Sequence, residues 1–197
     1  MIAAKMEDGG SRPPSVDDFV YLSDNTYMPE QILEMELGIC ASLKFQLKSI
    51  TPFHFLERFV LAACVAERNN LEQKGELYFN SQRYNVLAMM TRFLLEQIAV
   101  DVDLVSGFQC PSSKLAAAAV YLAKAACFGT NSTIWTETLE HYTGFSKDAL
   151  QGTVLILVES WKLSSSSVEK AVFNKYSKRH YLHVANKAVP SPSQLGF

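Results

Sequence analysis

The residues whose type and spacing could do chemistry are few. His180-x-x-His183 sets two imidazoles at helical spacing, a pattern that can hold a transition metal. Zinc needs three or four ligands, and no third lies near the pair. A solvated basic segment (Lys175, Lys178, Arg179 and His180) accounts for these histidines better. Asp101 and Asp103 resemble part of a calcium loop, but its glycine and closing glutamate are absent, so they read as a helix end. There is no G-x-S-x-G nucleophile motif and no Gly-rich phosphate loop. No metal, cofactor or small-molecule substrate is therefore expected, and Trp135 and Trp161 read as core rather than as ligand cages. Ser191-Pro192, in a stretch expected to be an extended tail, is a candidate site for proline-directed phosphorylation. Thr51-Pro52 has the same dipeptide, but its hydroxyl is expected to cap a helix. Taken alone, Lys5 and Glu36 are solvated charges on helix surfaces.

The totals narrow the class further. With 48% hydrophobic and 19% charged residues, the 197-residue chain has the make-up of a packed globular protein. A net charge of −2 offers no bulk attraction to nucleic acid or anionic membranes, and neither is expected as a partner. No window reaches the roughly 18 uninterrupted apolar residues of a transmembrane helix, and Met1 to Lys5 lacks the apolar core of a secretory signal. Of the four cysteines, Cys40, Cys64 and Cys127 lie in apolar helical patterns and Cys110 stands outside them; none forms a C-x-x-C pair. They are expected to be free thiols, three of them buried, in an intracellular protein.

The elements that would carry these residues all have a helical period. Pro29 opens a helix running to Leu43. Thr51-Pro52 opens a second, whose apolar face is Phe55, Leu56, Phe59, Val60, Ala63 and Cys64. Ser81 to Asp101 follows a polar connection, and Ser112 is expected to cap the next helix. That helix, Leu115 to Phe128, is rich in alanine and apolar on every face, the mark of a rod surrounded by neighbours. A short helix at Ile134 to Tyr142 ends on Gly144. Ser146 caps a helix to about Trp161, Ser164 to Ser167 is a polar break, and Val168 to Tyr176 is a last helix. Pro190 to Phe197 reads as a loose tail. The expected fold is all-α: five helices from Pro52 with the third at the centre, preceded by part of a similar unit.

The order of particular residues carries a resemblance. Ile2-Ala3-Ala4-Lys5-Met6-Glu7-Asp8, then Pro13-Pro14-Ser15-Val16-Asp17-Asp18-Phe19-Val20-Tyr21-Leu22-Ser23-Asp24-Asn25-Thr26-Tyr27, resemble the A/B-type (mitotic) cyclin pattern in the first cyclin box. Ile32-Leu33-Glu34-Met35-Glu36 through Leu43-Lys44-Phe45-Gln46-Leu47 is similar to the fifth helix of that box. Thr51-Pro52 to Arg58-Phe59 is similar to the opening of the second box. Pro111-Ser112 with the alanine-rich helix, Trp135 to Tyr142, and Lys175-Tyr176-Ser177 resemble later parts of the second box.

The resemblance implies a cyclin fold with three parts. Residues 1–47 would be the C-terminal remnant of the first box, 48–178 a complete second box with its closing helix, and 179–197 a flexible tail. It implies a non-enzymatic regulatory subunit that binds and activates a cyclin-dependent protein kinase in cell-cycle control, in nucleus and cytoplasm. The kinase contact would use Lys5, Glu7, Asp8 and Glu36, with Lys5 and Glu36 hydrogen-bonding kinase backbone beside its regulatory helix. A two-box adaptor in transcription is the alternative, and the acidic balance argues against it. The chain departs from the pattern at Met6, at Asp8 and at the longer link Gly9 to Arg12. The absent early helices suggest a fragment or incomplete gene model. With their partners missing, residues 1–47 are expected to expose apolar surface while residues 49–176 fold alone.

Overall fold

The computed structural model describes residues 1–7, 14–72, 81–101, 110–129, 134–166 and 170–196. They form two compact units, Met1–Ser49 and Ile50–Phe197. Among the described residues every regular element is a helix. The first unit holds α1 (Ile2–Glu7), α2 (Val16–Leu22) and α3 (Pro29–Ser42).

Ser15 fixes the start of α2 through a reciprocal capping box. Its hydroxyl oxygen accepts from the Asp18 N–H at 3.3 Å, and its own N–H donates to Asp18 Oδ2 at 2.7 Å. At α3, Pro29 takes the first turn and Gln31 Oε1 accepts from the Met28 N–H at 2.9 Å. Lys44 and Phe45, both with positive φ, end that helix. Among its described residues the first unit has almost no core. Cys40 is the one buried side chain of α3, whereas Leu33, Met35, Leu37 and Ile39 are exposed, as are Tyr21 and Leu22 of α2.

The second unit holds α4 (Phe53–Glu72), α5 (Ser81–Val100), α6 (Ser112–Phe128), α7 (Glu137–Thr143), α8 (Lys147–Ser166), α9 (Ala171–Tyr176) and α10 (Pro192–Leu195). Two 3₁₀ turns, Arg179–Tyr181 and Val184–Asn186, link the last two. The alanine-rich α6 is the axis. Residues 116–125 are buried on all sides, and α4, α5, α7, α8 and α10 pack on it. Alanine makes this possible, because a methyl side chain lets several neighbouring backbones come close at once. The inward residues of α8 are Leu150, Val154, Leu157, Val158 and Trp161, as its helical period requires. On α5 the buried face runs through Leu87, Ala88, Met90, Thr91, Phe93, Leu94, Leu95 and Ile98, with Tyr84 half-buried.

Several boundaries differ from the sequence reading, each for a local reason. Ser112 does not cap α6. Pro111 holds the cap position without a side-chain bond, and the Ser112 hydroxyl donates to the Ile50 carbonyl at 2.7 Å. Thr51 meets a side chain instead of a helix N–H, for its Oγ1 lies 2.9 Å from His54 Nδ1. α7 begins at Glu137 because Thr136 caps it, accepting from the Leu139 N–H, while Trp135 before it is held by its own bond to the Phe145 carbonyl at 2.9 Å. Gly144 ends α7 at φ 75°, a left-handed conformation in which a side chain would be strained. The expected break at Ser164 does not interrupt α8: its buried hydroxyl donates to the Trp161 carbonyl and is satisfied inside the helix. Most of the polar connection before Ser81, Asp103 and the start of the last predicted helix at Val168 lie outside the described residues.

The loose tail is the largest correction. Val184, Ala185 and Leu195 are buried in the core of the second unit. The Tyr121 hydroxyl donates to the Leu195 carbonyl at 2.6 Å, and Lys147 Nζ donates to the Gly196 carbonyl at 2.8 Å. Burial raises the Tyr121 hydroxyl to about 12, which keeps it a donor. No disulfide joins the four cysteines; Cys40 is buried, whereas Cys64, Cys110 and Cys127 are only half-buried.

Candidate functional site

The first unit brings two of the four predicted site residues together. Lys5 is on α1 and Glu36 in the middle of α3, 31 positions later, and Lys5 Nζ donates to Glu36 Oε2 at 2.8 Å. The Lys5 side chain is 41% exposed and that of Glu36 17%. The pair is thus wet on the lysine side and sheltered on the glutamate side. Asp8 lies outside the described residues, as does the side chain of Glu7, whose backbone is the last turn of α1.

Beside this pair runs a groove of about 1000 Å³ lined by residues from both helices, including Ile2, Ala3, Ile32, Met35, Glu36 and Ile39. Its walls are largely aliphatic and Glu36 stands on its border. An exposed apolar strip with one oriented ion pair at its edge has the make-up of a protein-binding surface: the strip supplies area and the charges set register.

The second unit carries a polar knot at its closing helix. Lys175 Nζ reaches both oxygens of Glu96, at 2.9 and 2.7 Å, and the hydroxyl of buried Tyr176 donates to Glu96 Oε1 at 2.7 Å. Lys175 also lies over the Tyr176 and Tyr181 rings, and Tyr176 packs at a tilt against Phe93, which meets Trp161 edge-on. Burial raises the Tyr176 hydroxyl and the adjacent Glu96 carboxylate raises it further, so it stays a donor. Glu96→Ala is expected to lower the stability of this unit by about 1–3 kcal/mol, because the tyrosine hydroxyl loses its acceptor in the core. Glu96→Gln keeps an oxygen there and should recover most of the loss. Urea unfolding followed by tryptophan fluorescence measures both. Equal losses would mean that the charge, and not the tyrosine bond, holds the helix.

The remaining candidates have structural partners. His180 packs edge-on against Tyr181, while His183 Nδ1 meets the Ser177 carbonyl. Among the described residues no group of three or more His, Cys, Asp or Glu is placed to hold a metal ion, and no helix is long and apolar enough to cross a membrane. Asp101 ends α5 through its N–H to the Ile98 carbonyl. Trp161 and Trp135 are core residues.

A family model described as cyclin, C-terminal domain, matches residues 50–190, and one described as cyclin, N-terminal domain, matches residues 1–48. The chain belongs to the cyclin family. The two matches meet at the border between the two units. Among similar curated proteins, Cyclin-A1-1 of Arabidopsis thaliana is 34% identical across 97% of this chain and 37% of its own length. Cyclin-B1-1 of Oryza sativa subsp. japonica is 32% identical across 94% and 37%, and G2/mitotic-specific cyclin-1 of Antirrhinum majus 33% identical across 90% and 32%. The chain spans roughly a third of the length of these relatives. The all-helical cyclin fold and the likeness to A- and B-type cyclins both follow the pattern read from the residues.

Proposed function

We propose that this cyclin-family chain is a non-catalytic regulatory subunit that binds and activates a cyclin-dependent serine/threonine kinase in the cell cycle. The observation that carries this reading is the Lys5–Glu36 pair at the edge of an exposed apolar groove, in the unit that matches the cyclin N-terminal domain. Activation by binding needs a partner surface that prefers one kinase conformation. Moving an equilibrium from about 1:99 to 99:1 takes about 5.5 kcal/mol of differential binding. Leu33, Met35, Leu37 and Ile39 are exposed on α3. Burying apolar side chains of that size yields roughly 1.5–3 kcal/mol each before the costs of association, so a few of them suffice. The charged pair would fix where α3 sits along the kinase helix, which apolar contact alone leaves loose.

Calorimetric titration of the purified chain into a purified, cyclin-free cyclin-dependent kinase tests this, followed by a peptide-phosphorylation assay. The expected result is a saturable 1:1 complex with kinase activity raised at least about tenfold. Absence of binding at roughly 100 µM, where even weak specific complexes register, sinks the proposal.

A further inference from the structure

The chain contains two Ser/Thr-Pro dipeptides, Thr51-Pro52 and Ser191-Pro192. Thr51 is engaged at the start of α4, where both its N–H and its hydroxyl meet His54 Nδ1, at 3.1 and 2.9 Å. Ser191 is exposed between two buried anchors, Pro190 before it and Leu195 after it. Its hydroxyl oxygen accepts a long bond from the Gln194 N–H at 3.4 Å. Its carbonyl is curled into a turn by the N–H groups of Gln194 and Leu195, at 2.9 and 3.1 Å. A latch keeps that turn shut: Leu195 is in the core and its carbonyl takes the Tyr121 hydroxyl.

A proline-directed kinase grips the residues around its target as an extended strand. The turn at Ser191 must therefore open before transfer, and the opening works against the buried leucine and the tyrosine bond. We propose that Ser191 is a phosphoacceptor for a proline-directed serine/threonine kinase and that the Tyr121–Leu195 latch sets the rate at which it is modified. In the step, Ser191 Oγ attacks the γ-phosphorus of ATP and a new O–P bond forms. The bond from that phosphorus to the bridging oxygen breaks and ADP leaves, while the hydroxyl proton passes to the kinase's carboxylate base and then to solvent. The product carries a charge of about −1.5 to −2 outside the latch. This reading is independent of whether the chain itself activates a kinase.

The test is incubation of the full chain with a purified, fully active proline-directed kinase and ATP, with sites and initial rates read by mass spectrometry. Phosphate should appear on Ser191 and vanish from it in Ser191→Ala and Pro192→Ala. Tyr121→Phe, which removes one hydroxyl, should raise the Ser191 rate about fivefold, the worth of one hydrogen bond, and Leu195→Ala should raise it more. Phe59→Leu, on α4, should leave the rate unchanged. No phosphate on Ser191 even in Leu195→Ala overturns the site. An unchanged rate in Tyr121→Phe, or an equal rise in Phe59→Leu, overturns the latch.

Discussion

Trp161→Ala lowers the stability of the second unit by about 3–5 kcal/mol, a large share of the roughly 5–15 kcal/mol that holds a domain of this size together. Trp161 is 2% exposed on α8, with its ring edge against Phe93 at 5.9 Å between centroids. Phe93 in turn touches Tyr176, so the indole is the base on which the closing helix rests. Alanine there removes the whole indole from a site walled by rigid helices, which can collapse only in part. Leu155 on the same helix is 39% exposed, and Leu155→Ala should cost under about 1 kcal/mol. Urea unfolding of both variants measures the contrast. Comparable losses would mean that α8 is held by its helical propensity and not by its inward face.

The inward face of α8 is legible in the amino-acid sequence. Helical spacing marks Leu150, Val154, Leu157, Val158 and Trp161, and all five are buried, because only one stripe of α8 meets neighbours. The axis is legible for the opposite reason: ten residues from Ala116 to Ala125 leave no continuous polar stripe for water, so α6 has nowhere to lie except inside. Contacts between distant residues are not legible in this way. Ser112 looks like a cap from its neighbours, yet its partner is a carbonyl 62 residues earlier. Pro190 to Phe197 looks like a tail by composition, yet Pro190 and Leu195 are buried, and Tyr121 and Lys147, 74 and 49 residues from their partners, bond the carbonyls of Leu195 and Gly196. Glu96 does not emerge from the sequence reading at all. It sits beside the inward stripe of α5, next to buried Gln97, and the closing Lys-Tyr pair needs both a counter-charge and an acceptor. An acidic residue bordering an apolar stripe is the signal that points to it.

For the first unit, Lys5 and Glu36 are singled out through family likeness alone, since isolated charges on helices carry no signal of their own. Their meeting at 2.8 Å is what makes them a testable unit. In the free chain this pair is worth little, because a half-wet lysine gains only about 0–1 kcal/mol from its partner. In a complex with the proposed kinase the same charges would be dry and would bond backbone groups of the partner. Glu36→Ala then leaves Lys5 without its counter-charge in a desolvated interface, a loss of about 2–5 kcal/mol, or roughly 30-fold or more in Kd. Lys5→Ala should cost a similar amount. The double variant should cost less than the two single losses added together, because the residues act as one unit. Thermal unfolding of the free variants should move far less than binding does. That split separates a contact residue from a folding residue. Titration against the kinase reads it, and a Glu36→Ala variant binding within about twofold of the parent chain would remove the pair from the contact. The apolar groove would then have to set register by shape alone.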